Sequence, residues 1–588
     1  MHGTMSRRTF LEMAAVAGLP RGAVAASFQR GAPDIARPDV EREHDGPLLR
    51  TRVVNRGGTP IQLRDIVVFE QPISLPPETT LYGEGFQMLT QTGGTLASPS
   101  DLSQYTDAAH YRIPAAGAGR AYYGLLTLAP PAGVAQVFAF TSCARFSGRF
   151  EISESTVRAI VDCEGLWLPP GGSWPLEELM VVSGFDRSAL LATVAERLAS
   201  HHPPLKSQAP PTGWCSWYSF GPNVTAQQVL DNLATIARTI PSLRYIQIDD
   251  GYQRAMGDWL ETGTAFGGSV RAVLSEIKQR GFQPAIWVAP FIAEERSQLF
   301  QQHPDWFVRD ADGSPLRSDR VTFGGWRHGP WYAVDGTHPD AQAHLERVFK
   351  TMREEWGCRY FKLDANFWGA IHGGRFHDSQ ATRIDAYRRG MAAIARGAGD
   401  AFLLGCNHPI WPSIGTVHGS RSSNDIKRSW DRIKTTARQN LSRNWQNGRL
   451  WWNDPDAVVL AELTDAECQF HATAIYASGG MVLSGDDLTR LPAARAAMLT
   501  KLLPPTGIAA AMTDADLRVG TITLPDREQL CLFNWDDRPT EINAHLGNGP
   551  RPAPRTVTDF WTGEPVAHRS GRIAATLAPR SARLLNAI

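Results

Sequence analysis

The sequence predicts a multidomain chain of three folded parts: an N-terminal all-β sandwich, a central (β/α)8 TIM barrel and a C-terminal antiparallel β-sandwich. Three observations predict it. Residues 40 to about 200 alternate short apolar runs with Gly/Pro/Ser turns and carry almost no long helical pattern. From Gly213 onward, eight short apolar runs are spread over about 280 residues, with amphipathic helical patterns between many of them. Beyond about residue 505 strand-type runs return without helices. The expected boundaries are 1–30 for a leader, 31–205 for the first β-domain, 206–504 for the barrel and 505–588 for the last β-domain.

The leader comes first. Ser6-Arg7-Arg8-Thr9-Phe10-Leu11 places paired arginines before the short apolar run Met13–Leu19, and Ala23-Val24-Ala25 follows as a small-x-small cleavage pattern. Charge, apolar run and cleavage site in that order predict a twin-arginine export signal, hence a folded protein sent to the periplasm or the exterior. In the first β-domain the strand runs are Thr51–Val54, Ile66–Phe69 and Ala121–Leu126, and Ser188–Leu198 is its one long helical pattern. Four prolines within His201–Pro211 mark a linker.

In the barrel region, Thr225 and Gln228 have capping-box spacing, and Val229, Leu233, Ile236 and Ile240 recur at helical spacing after them. Ser269 caps the next helix, Gly281 stops it, and Pro339 opens another. The first strand begins at Gly213. The others are Tyr245–Ile248, Gln283–Phe291, Tyr360–Leu363, Phe402–Gly405, Gly415–Ser420, Arg449–Trp452 and Gly480–Leu483. A doubly wound open sheet is the alternative, but no Gly-x-Gly-x-x-Gly or phosphate loop follows a strand. In the last domain Gly520–Leu524 and Gln529–Phe533 flank a turn at Pro525–Glu528.

Composition excludes several classes of function. Hydrophobic residues make up 43% of the 588 residues, enough for sizeable cores. Lys plus Arg equal Asp plus Glu at 59 each, so no global field draws the chain to nucleic acid. No run of 18 or more apolar residues is present to span a membrane. Seven cysteines are too few for a disulfide scaffold; Cys143 and Cys163 read as buried free thiols, with a disulfide after export as the alternative. No zinc-type His-Glu-x-x-His occurs, and no metal or cofactor is called for. Ser413 lacks the glycine of a nucleophile elbow and reads as a turn residue. The 18 tryptophans suit stacking on sugar faces.

Polar groups gather where strands end, the edge at which barrel enzymes do their chemistry. The second strand runs into Asp249-Asp250, the fourth into Lys362-Leu363-Asp364, the fifth into Cys406-Asn407-His408 and the sixth toward Arg421 and Asp425. Asp454, Asp456, Asp486 and Asp487 read as turn and cap residues. Lys362 and Asp364 lie two apart and share one strand face, so the ammonium should hold Asp364 as a charged nucleophile. Glycoside hydrolysis needs a second carboxyl to protonate the leaving oxygen, and Asp425 is the candidate. A direct Arg421–Asp425 pair would keep that acid ionised, so Arg421 is expected to point at the sugar or at Asp364.

Gly213-Trp214-Cys215-Ser216-Trp217, Asp249-Asp250-Gly251-Tyr252, Trp287-Val288-Ala289-Pro290, Lys362-x-Asp364, Arg421-x-x-x-Asp425 and Asn453-Asp454-Pro455-Asp456 follow one another in order. This set resembles the α-galactosidases of glycoside hydrolase family 36, relatives of family 27, over about 213–490; the first motif is nearest the raffinose synthase and seed-imbibition branch. The resemblance implies retaining cleavage of terminal α-linked galactose, with Asp364 as nucleophile and Asp425 as acid/base. It implies Asp249 and Asp250 on the C4 and C6 hydroxyls, Trp287 as a pocket wall, Lys362 and Arg421 near sugar and nucleophile, and Cys406 beside the C2 hydroxyl. Trp214, Trp217 and Asn407 join the expected sugar-contact set. Asn407-His408-Pro409 stands where many members carry Ser and Gly, which leaves an N-acetyl group at C2 as an alternative, and the likeness of Gly213–Trp217 to the raffinose synthase branch leaves galactosyl transfer as another. A carbohydrate-binding barrel without activity is the remaining reading. The long segment 291–335 carries Phe300, Trp306, Phe307, Phe323, Trp326 and Trp331, either a satellite core or an aromatic rim, with Trp326 and Trp331 the rim candidates. The expected partner is a carbohydrate; the sequence leaves a homo-oligomer open.

Overall fold

A computed structural model describes residues 37–114, 120–153, 155–546 and 556–588. The export signal expected over 1–30 lies outside the described residues. The first domain packs a nine-stranded antiparallel sheet against a four-stranded one. In Ile61–Pro72, Ile61 and Leu63 are buried while Gln62 and Arg64 are exposed, the period-two pattern of a strand with one solvent face. The run Leu125–Ala129 does not alternate, because its sheet is covered on both sides. Leu126 and Leu128 face the sandwich core, while Leu125 joins the cluster shared with the barrel.

The barrel strands are β1 (Thr212–Cys215), β2 (Tyr245–Ile248), β3 (Gln283–Val288), β4 (Tyr360–Leu363), β5 (Phe402–Gly405), β6 (Gly419–Arg421), β7 (Trp452–Asp454) and β8 (Val482–Ser484). All pair in parallel along the path β7-β6-β5-β4-β3-β2-β1-β8. At the seam Met481 N–H donates to Asn453 O at 2.8 Å, and Val458 N–H donates to Leu483 O at 2.7 Å. The last three strands start later than their apolar runs suggest. β6 itself reads Gly-Ser-Arg: its carbonyls and N–H groups pair on both sides while its side chains carry no hydrophobic signal.

Capping proceeds as the spacing predicts. Thr225 and Gln228 form a capping box on the helix Ala226–Thr239, Ser269 caps Val270–Gln279, and Pro339 opens Pro339–Glu354. Inside the barrel floor Tyr360 stacks on Phe402, ring centroids 5.4 Å apart, with Cys215, Ala285, Leu404 and Met481 around them. The last domain has a five-stranded and a two-stranded sheet around Leu530, Leu532, Ile542 and Leu585.

The first domain does more than flank the barrel. Gly124, at φ 73°, lets the indole of Trp411 approach so closely that a Cβ there would lie 2.1 Å from it. Trp411 Nε1 donates to Phe140 O at 2.8 Å. Segment 85–114 then crosses the C-terminal end of the barrel strands, where Met88 N–H bonds His408 O and Ile410 N–H bonds Phe86 O, both at 2.9 Å. Arg443 and Glu84 form a buried pair between the two domains at 2.6 Å. Cys143 and Cys163 are separate buried thiols. Among the described residues no helix is long and apolar enough to cross a membrane, and no group of three side chains suits a metal ion.

Candidate active site

Strand parity builds the site. On β4, Phe361 and Leu363 turn to the outer helices, while Tyr360 fills the barrel floor and Lys362 stands above it. Asp364 follows on the same side, just past the strand end. It opens into a cavity of about 280 Å³ at the C-terminal rim, together with Asp249, Asp250, Trp287 and Lys362. Trp217, Cys406, Asn407, Trp326 and Asp425 also line it.

Asp364 is held by two donors: Trp287 Nε1 at 3.0 Å on Oδ2 and the Ala365 N–H at 2.7 Å on Oδ1. Ala365 adopts φ 53°, a left-handed conformation that costs a non-glycine residue and occurs where surroundings enforce it. Lys362 stays near enough to act on Asp364 by charge, while its Nζ donates its hydrogen bond to Asp249 Oδ2 at 3.0 Å. Burial pushes the Asp364 carboxyl above its usual range, and the Lys362 charge and the Trp287 bond only pull it part of the way back. The Lys362 charge is thus the largest influence favouring the ionised carboxylate, as the shared strand face predicts, but it acts across space from its bond to Asp249 and burial outweighs it.

Asp249 also accepts from Gln247 Nε2 at 2.6 Å and Cys215 Sγ at 3.3 Å. Asp250 accepts from Gln253 Nε2 at 2.6 Å and from Arg327 Nε at 3.1 Å, with Arg327 Nη2 on its other oxygen. Arg327 was not among the sequence candidates. It sits in the long loop after β3, and its carbonyl accepts the Trp331 indole N–H at 2.8 Å. Burial raises Asp250, and Arg327 and Gln253 counter it. The loop divides between both readings of its aromatics. Phe307 with Phe300 and Trp306 forms a satellite core, and Trp331 is fully buried. Trp326, 42% exposed, and Phe323 reach the cavity.

Arg421 corrects an expectation. Its Nη2 meets Asp425 Oδ1 at 2.7 Å and Asp456 Oδ2 at 2.6 Å, and donates to the Tyr218 hydroxyl at 2.9 Å. Nearly all of its surface is buried, behind the cavity wall rather than in it. The reason is spacing: residues 421 and 425 sit on one tight turn leaving β6, so the acid returns over its own arginine. Asp456 is likewise no mere turn residue; it is buried and belongs to this charge cluster. Asp486 does act structurally, pairing with Arg428 at 2.8 Å and accepting the Leu460 N–H at 2.6 Å.

Trp214 is another correction. It is fully buried, with its indole N–H on Asp486 O at 2.8 Å, because it alternates with Cys215, the residue that faces the barrel interior. Burial pushes the Cys406 thiol well up, so it stays protonated, with Arg421 Nη1 3.6 Å from its sulfur. His408, pushed down to about 3 by burial, is neutral between Ser413 and Ser420.

The remaining wall comes from the first domain, which no motif announced. Leu89, Tyr105, His110 and Tyr111 line the cavity. Tyr111 donates its hydroxyl proton to Asn407 Oδ1 at 2.8 Å and accepts from Gln87 Nε2 at 2.8 Å. That fixes the Asn407 amide, on a backbone at φ 45°, with its oxygen turned toward Tyr111 and Gln87. His110 stacks on Phe323 at 4.1 Å. Segment 85–114 holds only the short strands Gln91–Gly94 and Pro99–Asp101 and no regular period to mark it; only its density of polar and aromatic residues could have drawn attention.

The family model described as Melibiase matches residues 211–394. An α-galactosidase of Escherichia coli is 32% identical over 187 residues, 28% of this chain and 25% of that protein. An "A type blood alpha-D-galactosamine galactosaminidase" of Flavonifractor plautii is 28% identical over 204 residues, 33% of this chain and 18% of that protein. The matched segments thus span a quarter or less of these relatives' lengths. Among solved structures, an α-galactosidase of Thermus thermophilus in complex with p-nitrophenyl α-D-galactopyranoside superposes with a TM-score of 0.63 at 22% identity, over 82% of this chain and 98% of that one.

Proposed function

We propose that this chain, an α-galactosidase-like glycoside hydrolase of the family 36 and 27 group, is a retaining, exo-acting enzyme that releases terminal α-linked galactose. The observation that carries the reading is one cavity lined by two carboxylates from β4 and the turn after β6, with a second carboxylate pair at its side. Asp364 attacks the anomeric carbon while Asp425 gives a proton to the leaving oxygen. Asp425 then takes a proton from the water that releases the sugar. Trp287 and the Ala365 N–H orient the nucleophile. Asp249 and Asp250, braced by Lys362 and Arg327, accept hydrogen bonds from sugar hydroxyls.

A second reading has its own support. Asn407, fixed by Tyr111, borders the cavity where C2 is expected, and one relative is named for acting on α-galactosamine. Hydrolysis of aryl α-galactoside against aryl α-N-acetylgalactosaminide separates the two. Preference for the first supports the proposal; preference for the second moves it to the galactosaminidase. Sugar binding without cleavage of either leaves a binding barrel. Formation of galactosyl-sugar products in place of free galactose identifies transfer. We further propose export by the twin-arginine route, on the strength of Arg7-Arg8 and the run after it. Replacing both arginines with lysine should hold the protein in the cytoplasm; unchanged export contradicts this.

A further inference from the structure

Arg421 stands between two carboxylates in unlike settings. The Asp425 side chain is 53% exposed and that of Asp456 only 4%. One guanidinium balances one carboxylate, so with both ionised the trio carries a surplus negative charge. We propose that Asp456 is the counter-ion that frees Asp425 to carry a proton, a positioning residue acting through Arg421. This rests on the functional reading above, in which Asp425 is the general acid.

The geometry makes Asp456 the fixed partner. It accepts the Tyr218 hydroxyl and the Ile426 N–H, each at 2.6 Å, and its own N–H bonds Asp454 Oδ1 at 3.0 Å. Asp425 instead borders the cavity, where a leaving group would cover it. Covering strips water from Asp425 and disfavours its charged form. Arg421 then has Asp456 to satisfy it, so protonating Asp425 strands no buried cation. Without a charge on Asp456, the guanidinium's only acidic partner is Asp425, and that favours the wrong form of the acid.

The charged and titratable groups facing Asp456 are Arg421 from β6, Asp425 from the turn after it, Tyr218 from the helical turn after β1 and Asp454 from β7. Burial lifts Asp456 to about 6; Arg421 and Tyr218 oppose the rise, while Asp425 and Asp454 add to it. Near neutral pH it is therefore ionised and available to Arg421. Below that value it takes a proton and the counter-ion is lost.

The test is the pH dependence of kcat, which reports groups in the substrate complex. It is measured for the wild type, Asp456→Asn and Tyr218→Phe on an α-galactosyl disaccharide and on an activated aryl α-galactoside. For Asp456→Asn the alkaline limb on the disaccharide should move to lower pH by about one unit or more, a roughly tenfold loss on that flank. The aryl substrate, which needs little proton assistance, should change far less. Tyr218→Phe keeps both carboxylates and the arginine and removes a donor to Asp456. Its limb should move the same way by less, and it carries the test if Asp456→Asn does not fold. A limb that stays in place or moves to higher pH overturns the proposal. Failure of the functional reading looks different: a wild type inert on α-galactosides, or Asp425→Ala equally impaired on both substrates, removes Asp425 as the acid and this proposal with it.

Discussion

Asp364 leaves β4 through a left-handed Ala365 with one oxygen on Trp287 and the other on the backbone. Asp364→Asn should lose activity on every substrate, since the proposed covalent intermediate forms on its carboxylate; more than a trace of activity contradicts the assignment. Asp425→Ala should suffer most on poor leaving groups, and equal loss on activated ones would remove it as the acid. The nucleophile must be ionised to attack, and burial raises Asp364, so activity falls away as pH drops through that raised value. Trp287→Phe removes a bond that favours the charged form. The acidic limb of kcat/KM should therefore shift to higher pH in that variant; a shift to lower pH would contradict it. At this scale Asp249, Asp250 and Asp364 were legible because they follow apolar strand runs, whereas Asp425, after a strand without that signal, was legible through its Arg421-x-x-x-Asp425 spacing. Their partners were not: Lys362 crosses to Asp249, and Arg327 and Tyr218 arrive from loops remote in sequence.

The elements are joined by a polar clasp. Arg443, from the turn after the helix Trp430–Ser442, pairs with Glu84 at the end of the strand Thr80–Glu84. It also donates to Met88 O and to Ser422 O, the latter just before Asn424 and Asp425. Both side chains are essentially inaccessible, so removing one strands the other charge. Arg443→Met should cost about 3–5 kcal/mol, seen as a lower urea midpoint, and the double variant with Glu84→Gln should cost less. An equal or larger loss in the double variant would show that packing, not charge, dominates. Helix starts were readable from Thr225, Ser269 and Pro339, because caps are local chemistry. Strands β6 to β8 were displaced because backbone pairing, not the apolar run, sets their bounds: β6 pairs with both β5 and β7, and β8 with β1. Trp214 was misassigned because its motif says nothing of strand face, which its alternation with Cys215 decides.

At the scale of the whole molecule, the active cavity belongs to two domains. Tyr111 packs on Phe367 at 4.8 Å and orders Asn407, while Leu125, Val137 and Ala139 share one apolar cluster with the barrel. A chain beginning at residue 206 uncovers that face and loses the cavity wall. It should be recovered aggregated and without glycosidase activity, as size-exclusion chromatography and an aryl α-galactoside assay would register. A soluble, fully active barrel would show that the first domain is dispensable. The three-part architecture was legible from changes of hydrophobic period along the chain, whereas the docking of segment 85–114 over the barrel was not, since it depends on backbone bonds such as Met88 N–H to His408 O and Ile410 N–H to Phe86 O. The most direct measurement follows aryl α-galactoside cleavage by proton NMR in its first minutes. Retention through Asp364 and Asp425 predicts α-galactose as the first-formed sugar, mutarotating only later. β-Galactose appearing first would contradict double displacement at this pair of carboxylates.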